Sequence, residues 1–172
     1  MKQIPIFILA ATTAVIVAGM WTPTSAGSDH ENDAILGGKI PPDYRGWKLI
    51  SVAHEEGNLN DIRAVLGTDL AFNAARGGIL PYPDGAIVAR LAWRYLSSEE
   101  NNAVFGRSQS FVAGPPSNVQ FMVKDAKQYA STGGWGFAQF EDGKSVHVVV
   151  QDCYACHVPV KSRDFIFTRY AP

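Results

Sequence analysis

"PDGAIVARLAWRY", Pro83 to Tyr95, decides the fold. Pro-Asp-Gly is a turn signal, and a strict alternation follows it. Ile87, Ala89, Leu91, Trp93 and Tyr95 fall on one face, with Ala86, Val88, Arg90, Ala92 and Arg94 on the other. This period of two marks a strand. On its second face Arg90 lies between the small apolar residues Val88 and Ala92, so an inward guanidinium there needs a partner.

Working outward, Trp47 to His54 alternates in the same way and turns at Glu56-Gly57-Asn58. Asp61 to Leu66 is a second strand. Thr68 is an N-cap for a short helix through Arg76, with Gly77-Gly78 as its stop. Beyond the quoted strand, Ser97 to Arg107 reads as a polar connection. Ser108 to Ala113 and Asn118 to Lys124 read as two strands around Gly114-Pro115-Pro116. Asp125 can cap a short helix ending at Gly133-Gly134. Trp135 to Phe140 is a further strand with a turn at Asp142-Gly143, and the tail Asp164 to Tyr170 is strand-like. The sum is an α+β fold, mainly antiparallel β-sheet with a few short helices. Internal repeats and low-complexity tracts are absent.

The N-terminus sets the compartment. Lys2, an apolar run from Ile4 to Met20 and the small residues Thr24-Ser25-Ala26 follow the order of a secretory signal peptide. The expectation is cleavage near Ala26, export to the periplasm, a mobile lead-in over residues 27–40 and a folded domain over 41–172. Of the 172 residues, the part after Ala26 is long enough for one domain with a core. The formal charge of −1 loses one positive charge with Lys2 and becomes −2. That balance excludes a basic nucleic-acid footprint. After residue 26 no apolar stretch is long enough to span a bilayer, so no membrane insertion is expected once the signal is removed.

The only two cysteines lie in Cys153-Tyr154-Ala155-Cys156-His157. A disulfide across so short a loop constrains the unfolded chain little. A redox dithiol is normally read with a following helix in a βαβ unit, and none is evident. A structural zinc site wants four ligands, and His30, His54 and His147 are scattered singly. The remaining reading is the c-type haem attachment pattern: two thioethers from Cys153 and Cys156, with His157 reaching the iron. A disulfide or dithiol, with His157 on the surface, is the alternative.

Several stretches together resemble the cytochrome P-460 family: Asp43-Tyr44-Arg45-Gly46-Trp47, Pro83-Asp84-Gly85 leading into its strand, and the anchor followed by Asp164-Phe165-Ile166-Phe167-Thr168-Arg169-Tyr170. The similarity covers about residues 41–172. It implies a sheet-rich mono-haem c protein of P-460-like fold, commonly a homodimer, with a five-coordinate iron open on one side. It implies either hydroxylamine oxidation, in a branch with a lysine tied covalently to the haem ring, or nitric oxide binding in the cytochrome c′-beta branch. At the lysine position this sequence has Arg90, whose guanidinium stays protonated and is a poor nucleophile. At a distal glutamate position it has Gln120, which cannot act as a general base. Arg63 matches a second-sphere arginine of the family.

Each candidate has a plainer reading beside the functional one. Arg90 is either a donor beside the haem or a salt bridge at a sheet edge or solvated face. Gln120 is a ligand donor or an ordinary strand glutamine. Phe72, Phe111 and Phe121 wall an apolar pocket or fill the core. Met122, His54 or His147 would close the sixth iron site in a plain electron carrier; core packing is the better reading of Met122. Lys161, Arg163 and Arg169 solvate the surface or contact a propionate. Three functions follow: an oxidoreductase of hydroxylamine, a nitric-oxide binder or sensor, and an electron carrier. Each works with a redox partner protein or a small nitrogen ligand.

Overall fold

The computed structural model describes residues 35–148 and 150–172; the signal-peptide reading of residues 1–26 lies outside them. Six antiparallel strands form one sheet in chain order: β1 (Lys48–Glu55), β2 (Asp61–Gly67), β3 (Ile87–Ser97), β4 (Phe111–Lys124), β5 (Trp135–Glu141) and β6 (Lys144–Val146). Helix α1 (Asp69–Gly77) joins β2 to β3, α2 (Glu99–Phe105) joins β3 to β4, and α3 (Val150–His157) follows β6. The α+β expectation holds. No helix among the described residues is long and apolar enough to cross a membrane.

The alternation in β3 works because both faces of the sheet carry a core. On one face Leu66, Ala89, Leu91, Phe121, Ala138 and Phe140 pack under Ile35, Tyr44 and Tyr129. On the other, Val65, Val88, Met122 and Phe137 pack against α1, Val150 of α3 and Ile166. Thr68 caps α1 with a hydroxyl that accepts from Ala71 N, and Gly78 ends the helix in the left-handed region.

Four expectations are corrected. Ser97 to Arg107 is not merely a connection but contains α2, capped by Ser98 and stopped by Gly106. Asn102 organises that end: its Oδ1 accepts from Gln109 N and Ser110 N, and its Nδ2 donates to Ser97 Oγ. The two strands around Gly114-Pro115-Pro116 are one, because β4 absorbs the prolines at irregularities in its pairing with β3 around Trp93. The tail after Asp164 is not a strand; Asp164 and Phe165 have φ of 52° and 63°, which no extended chain permits. The lead-in ends before residue 40, since Ile35 is 1% exposed against the sheet.

Candidate haem site

The cavity lies on the sheet face that carries Val65, Val88, Met122 and Phe137. Its volume is about 540 Å³, within the range of cofactor pockets. One wall comes from α3 and the segment after it. Cys153 and Cys156 stand three residues apart on α3, and His157 stands four after Cys153, so one helix face presents all three. All three line the cavity. Both thiols are free; Cys153 is half-buried and Cys156 exposed. Burial, then Asp152 and Cys156, pushes the Cys153 thiol pKa up. A thiol held protonated in this way does not suit a reactive dithiol.

His157 Nδ1 lies 2.6 Å from the carbonyl oxygen of Phe165. That contact requires Nδ1 to carry the proton and leaves the Nε2 lone pair free, the arrangement a metal-ligating imidazole needs. Burial lowers the His157 pKa and the Phe165 carbonyl partly restores it, which favours the neutral ring. Phe137 and Phe167 flank the ring at centroid distances of 5.2 and 5.0 Å.

The other wall is a polar row across the sheet. Val65 pairs with Arg90, Arg90 with Gln120, and Gln120 with Gln139, on four successive strands. Arg90 Nη1 donates to Asn118 Oδ1 at 2.8 Å and Gln120 Oε1 at 3.1 Å; Nη2 donates to Asp61 Oδ2. Asp61, 3% exposed, also accepts from Arg63 Nε at 2.8 Å. Arg63 Nη2 lies 2.7 Å from Asp61 Oδ1, the oxygen that Nε reaches, but makes no hydrogen bond there. Gln120 Nε2 donates to Gln139 Oε1 at 2.6 Å, and Gln139 Nε2 to Glu141 Oε1 at 2.9 Å. Burial and Arg63 press the Arg90 pKa down, while Asp61 and Glu55 oppose them.

Arg90, Gln120 and Arg63 therefore all line the cavity together with Cys153, Cys156 and His157. Arg90 is no edge residue: it is on a central strand and is both paired and cavity-facing. Phe121 borders the cavity, but its ring packs edge-on against Tyr44, Trp47 and Phe140 in the opposite core. Phe72 packs on Tyr170, and Phe111 stacks on Tyr95; neither lines the cavity. Met122 lines it from within the core. His54 stacks on Tyr95 and His147 is exposed, and neither is among the residues lining the cavity. Lys161, Arg163 and Arg169 also lie outside its lining. Sequence reasoning missed Asp61, Asn118 and Gln139, the partners that fix Arg90 and Gln120. A charge opening an apolar strand was the signal for Asp61.

A sheet carrying this cavity, with a Cys-x-x-Cys-His helix as one wall, defines a haem-binding cytochrome built on β-structure rather than on a helical wrap. The donor set fits the group: an imidazole with Nε2 free, two unpaired thiols beside it, and a cavity in front. The sequence model of the cytochrome P-460 family matches residues 41–168, and the chain belongs to that family. Membership brings with it haem and iron as the cofactor. No curated protein matches the chain.

Proposed function

We propose that the protein is an exported mono-haem c-type cytochrome that binds small nitrogen ligands, nitric oxide foremost, on the iron face turned away from His157. Cys153 and Cys156 would each add S–H across one vinyl group, an addition with no net oxidation or reduction, and His157 would offer Nε2. The bound haem supplies an iron that changes between ferric and ferrous and accepts a small ligand. Arg90 and Gln120 each retain N–H groups beyond those engaged within the protein, available to a ligand in the cavity.

One observation carries the preference for binding over turnover. The carboxylates in the cavity lining, Asp61 and Glu55, are both paired with arginine. Asp61 in particular is held by two guanidiniums, with Oδ1 engaged by Arg63 and Oδ2 by Arg90. With Gln120 unable to serve either, the Arg63-paired Glu55 is the one candidate left in the lining for the base that hydroxylamine oxidation would want. The test uses purified holoprotein. Nitric oxide should convert the ferrous spectrum stoichiometrically, and hydroxylamine with an artificial electron acceptor should give no turnover above free-haem background. Sustained turnover would overturn the binding reading. A six-coordinate low-spin iron with Met122 bound would instead make the protein an electron carrier.

Glu55 supports a second reading. It is half-exposed, at 48%, and its contact with Arg63 is 3.5 Å. A carboxylate so loosely held could take a proton from hydroxylamine. If turnover is found, Glu55→Gln should abolish most of it; an unchanged rate would remove Glu55 from the mechanism.

Export, covalent attachment and assembly belong to the same proposal. The Lys2-to-Ala26 pattern supports secretion, and the periplasmic protein should begin at Gly27. The arginine at the lysine position supports haem linkage through the cysteines alone. A peptide map should find haem on the Cys153–His157 peptide and none on the β3 peptide. Exposed Leu96, Phe105, Phe111 and Val112 around the β3–β4 connection support a homodimer, which sedimentation would detect. A redox partner protein would set the iron's oxidation state.

A further inference from the structure

Asp164 and Phe165 both have left-handed backbone, at φ 52° and 63°. Left-handed conformations are costly for side chains larger than glycine, and two in succession must be held by their surroundings. The holding groups are identifiable. Asp164 Oδ1 accepts from Lys124 Nζ at 2.7 Å, and Oδ2 accepts from Tyr82 N at 2.8 Å. Lys124 and Asp164 are 4% and 8% exposed, so this is a buried ion pair. Lys124 Nζ also donates to Gly133 O at 3.3 Å and sits 4.9 Å from the Trp135 ring centroid. The Phe165 ring lies against Gly133, where a Cβ would collide with it. Backbone bonds Asp164 N to Lys161 O and Phe165 N to Val160 O close the turn.

The carbonyl that leaves this turn is the one 2.6 Å from His157 Nδ1. A ligating histidine owes its tautomer, orientation and basicity to the group that accepts from its second nitrogen. We infer that Lys124 and Asp164 are positioning residues for His157: their ion pair holds the turn that aims the Phe165 carbonyl, and so sets the strength of the axial ligand. The inference rests on the haem reading above. A fold that needed only a stable turn here would use glycine or asparagine in the left-handed positions. It would not need a buried ion pair to the lysine that ends β4.

The experiment compares wild type, Asp164→Asn, Lys124→Met and a control, Phe140→Leu, which weakens the opposite core. Intact mass comes first. Absence of covalent haem in the wild type would sink the haem reading itself, separately from this inference. With haem attached, the ferrous iron–histidine stretching band is recorded by resonance Raman, together with the reduction potential. The expected result is a lower band frequency in both positioning variants. The ferric–ferrous equilibrium should move toward ferrous by about tenfold, taking as its scale the low end of the losses in metal affinity or activity that follow removal of such partners. The control should move neither. An unshifted band and potential in both variants, or an equal shift in Phe140→Leu, would overturn the inference. Should Asp164→Asn fail to accumulate, Lys124→Gln, which keeps an uncharged donor, carries the same comparison.

Discussion

Asp61→Asn should be strongly destabilising. Asp61 is the shared counter-charge of Arg63 and Arg90, whose side chains are 12% and 17% exposed. Removing one partner of a buried ion pair typically costs about 3–5 kcal/mol, because the orphaned charge stays desolvated. Asparagine keeps one acceptor oxygen and the guanidiniums keep a little water, which puts the expected loss near 3 kcal/mol. For a domain of this size that is roughly a 12 °C fall in melting temperature. Arg90→Met is milder, about 1–2 kcal/mol, because Asp61 retains Arg63. The double variant Asp61→Asn/Arg90→Met should fall short of the sum by at least about 1 kcal/mol, since losing Arg90 removes one of the orphaned charges. Urea unfolding followed by circular dichroism measures all three. A loss below about 1 kcal/mol for Asp61→Asn, or additivity in the cycle, would refute the shared-counter-charge argument.

Three further outcomes follow from other parts of the molecule. Burial, with Asp164 in second place, raises the Tyr82 pKa, so the folded protein holds the phenolic proton more tightly than the unfolded chain. Its contribution is complete below about pH 10 and is lost as pH rises through the raised value; Tyr82→Phe should flatten this alkaline decline in unfolding titrations. At Gly67 an added Cβ would lie 2.6 Å from Ile50 Cδ1 and 3.0 Å from Ala71 Cβ. Gly67→Ala should therefore cost about 1–3 kcal/mol in thermal unfolding, with helix α1 pushed off β2. Cys156→Ser should leave one thioether, so denatured protein still carries haem by mass while the absorption band of its reduced pyridine complex moves to the red; loss of all covalent haem would show that Cys153 alone does not attach it.

The fold was legible where the side-chain period was clean. β3 could be read because its two faces bury two different apolar sets, and α1 because Thr68 and Gly78 mark both of its ends. The reading failed where a local rule was met by an unusual context. Pro115 and Pro116 signal a break, yet β4 continues past them because its pairing with β3 is already irregular there. Asp164 to Tyr170 looks extended by composition, but the Asp164 carboxylate is committed to Lys124, forty residues away, and no local pattern reveals such a partner. At the site, Cys153, Cys156 and His157 could be grouped from the sequence because their spacing puts them on one helix face. Gln139 and Asn118 could not, because their roles exist only once strand register is known.

Register is also what gives the cavity its chemistry. Arg90, Gln120 and Gln139 stand in one row because β3 pairs with β4 and β4 with β5 without a shift at those positions. A slip of one residue would turn the row into the opposite core and bring Ala89, Phe121 or Ala138 into the cavity. The hydrogen bonds within the row are too few to oppose that slip alone. What opposes it is the other face, where Leu91, Phe121 and Phe140 are each 4% exposed or less and would have to surrender that burial. The shifts in β3–β4 pairing begin only beyond Ala92, so the irregular end lies outside the row. The polar wall is thus held in place by apolar residues that never touch a ligand. Leucine at position 140 keeps that face apolar, so Phe140→Leu should cost stability in the opposite core while the row keeps its register.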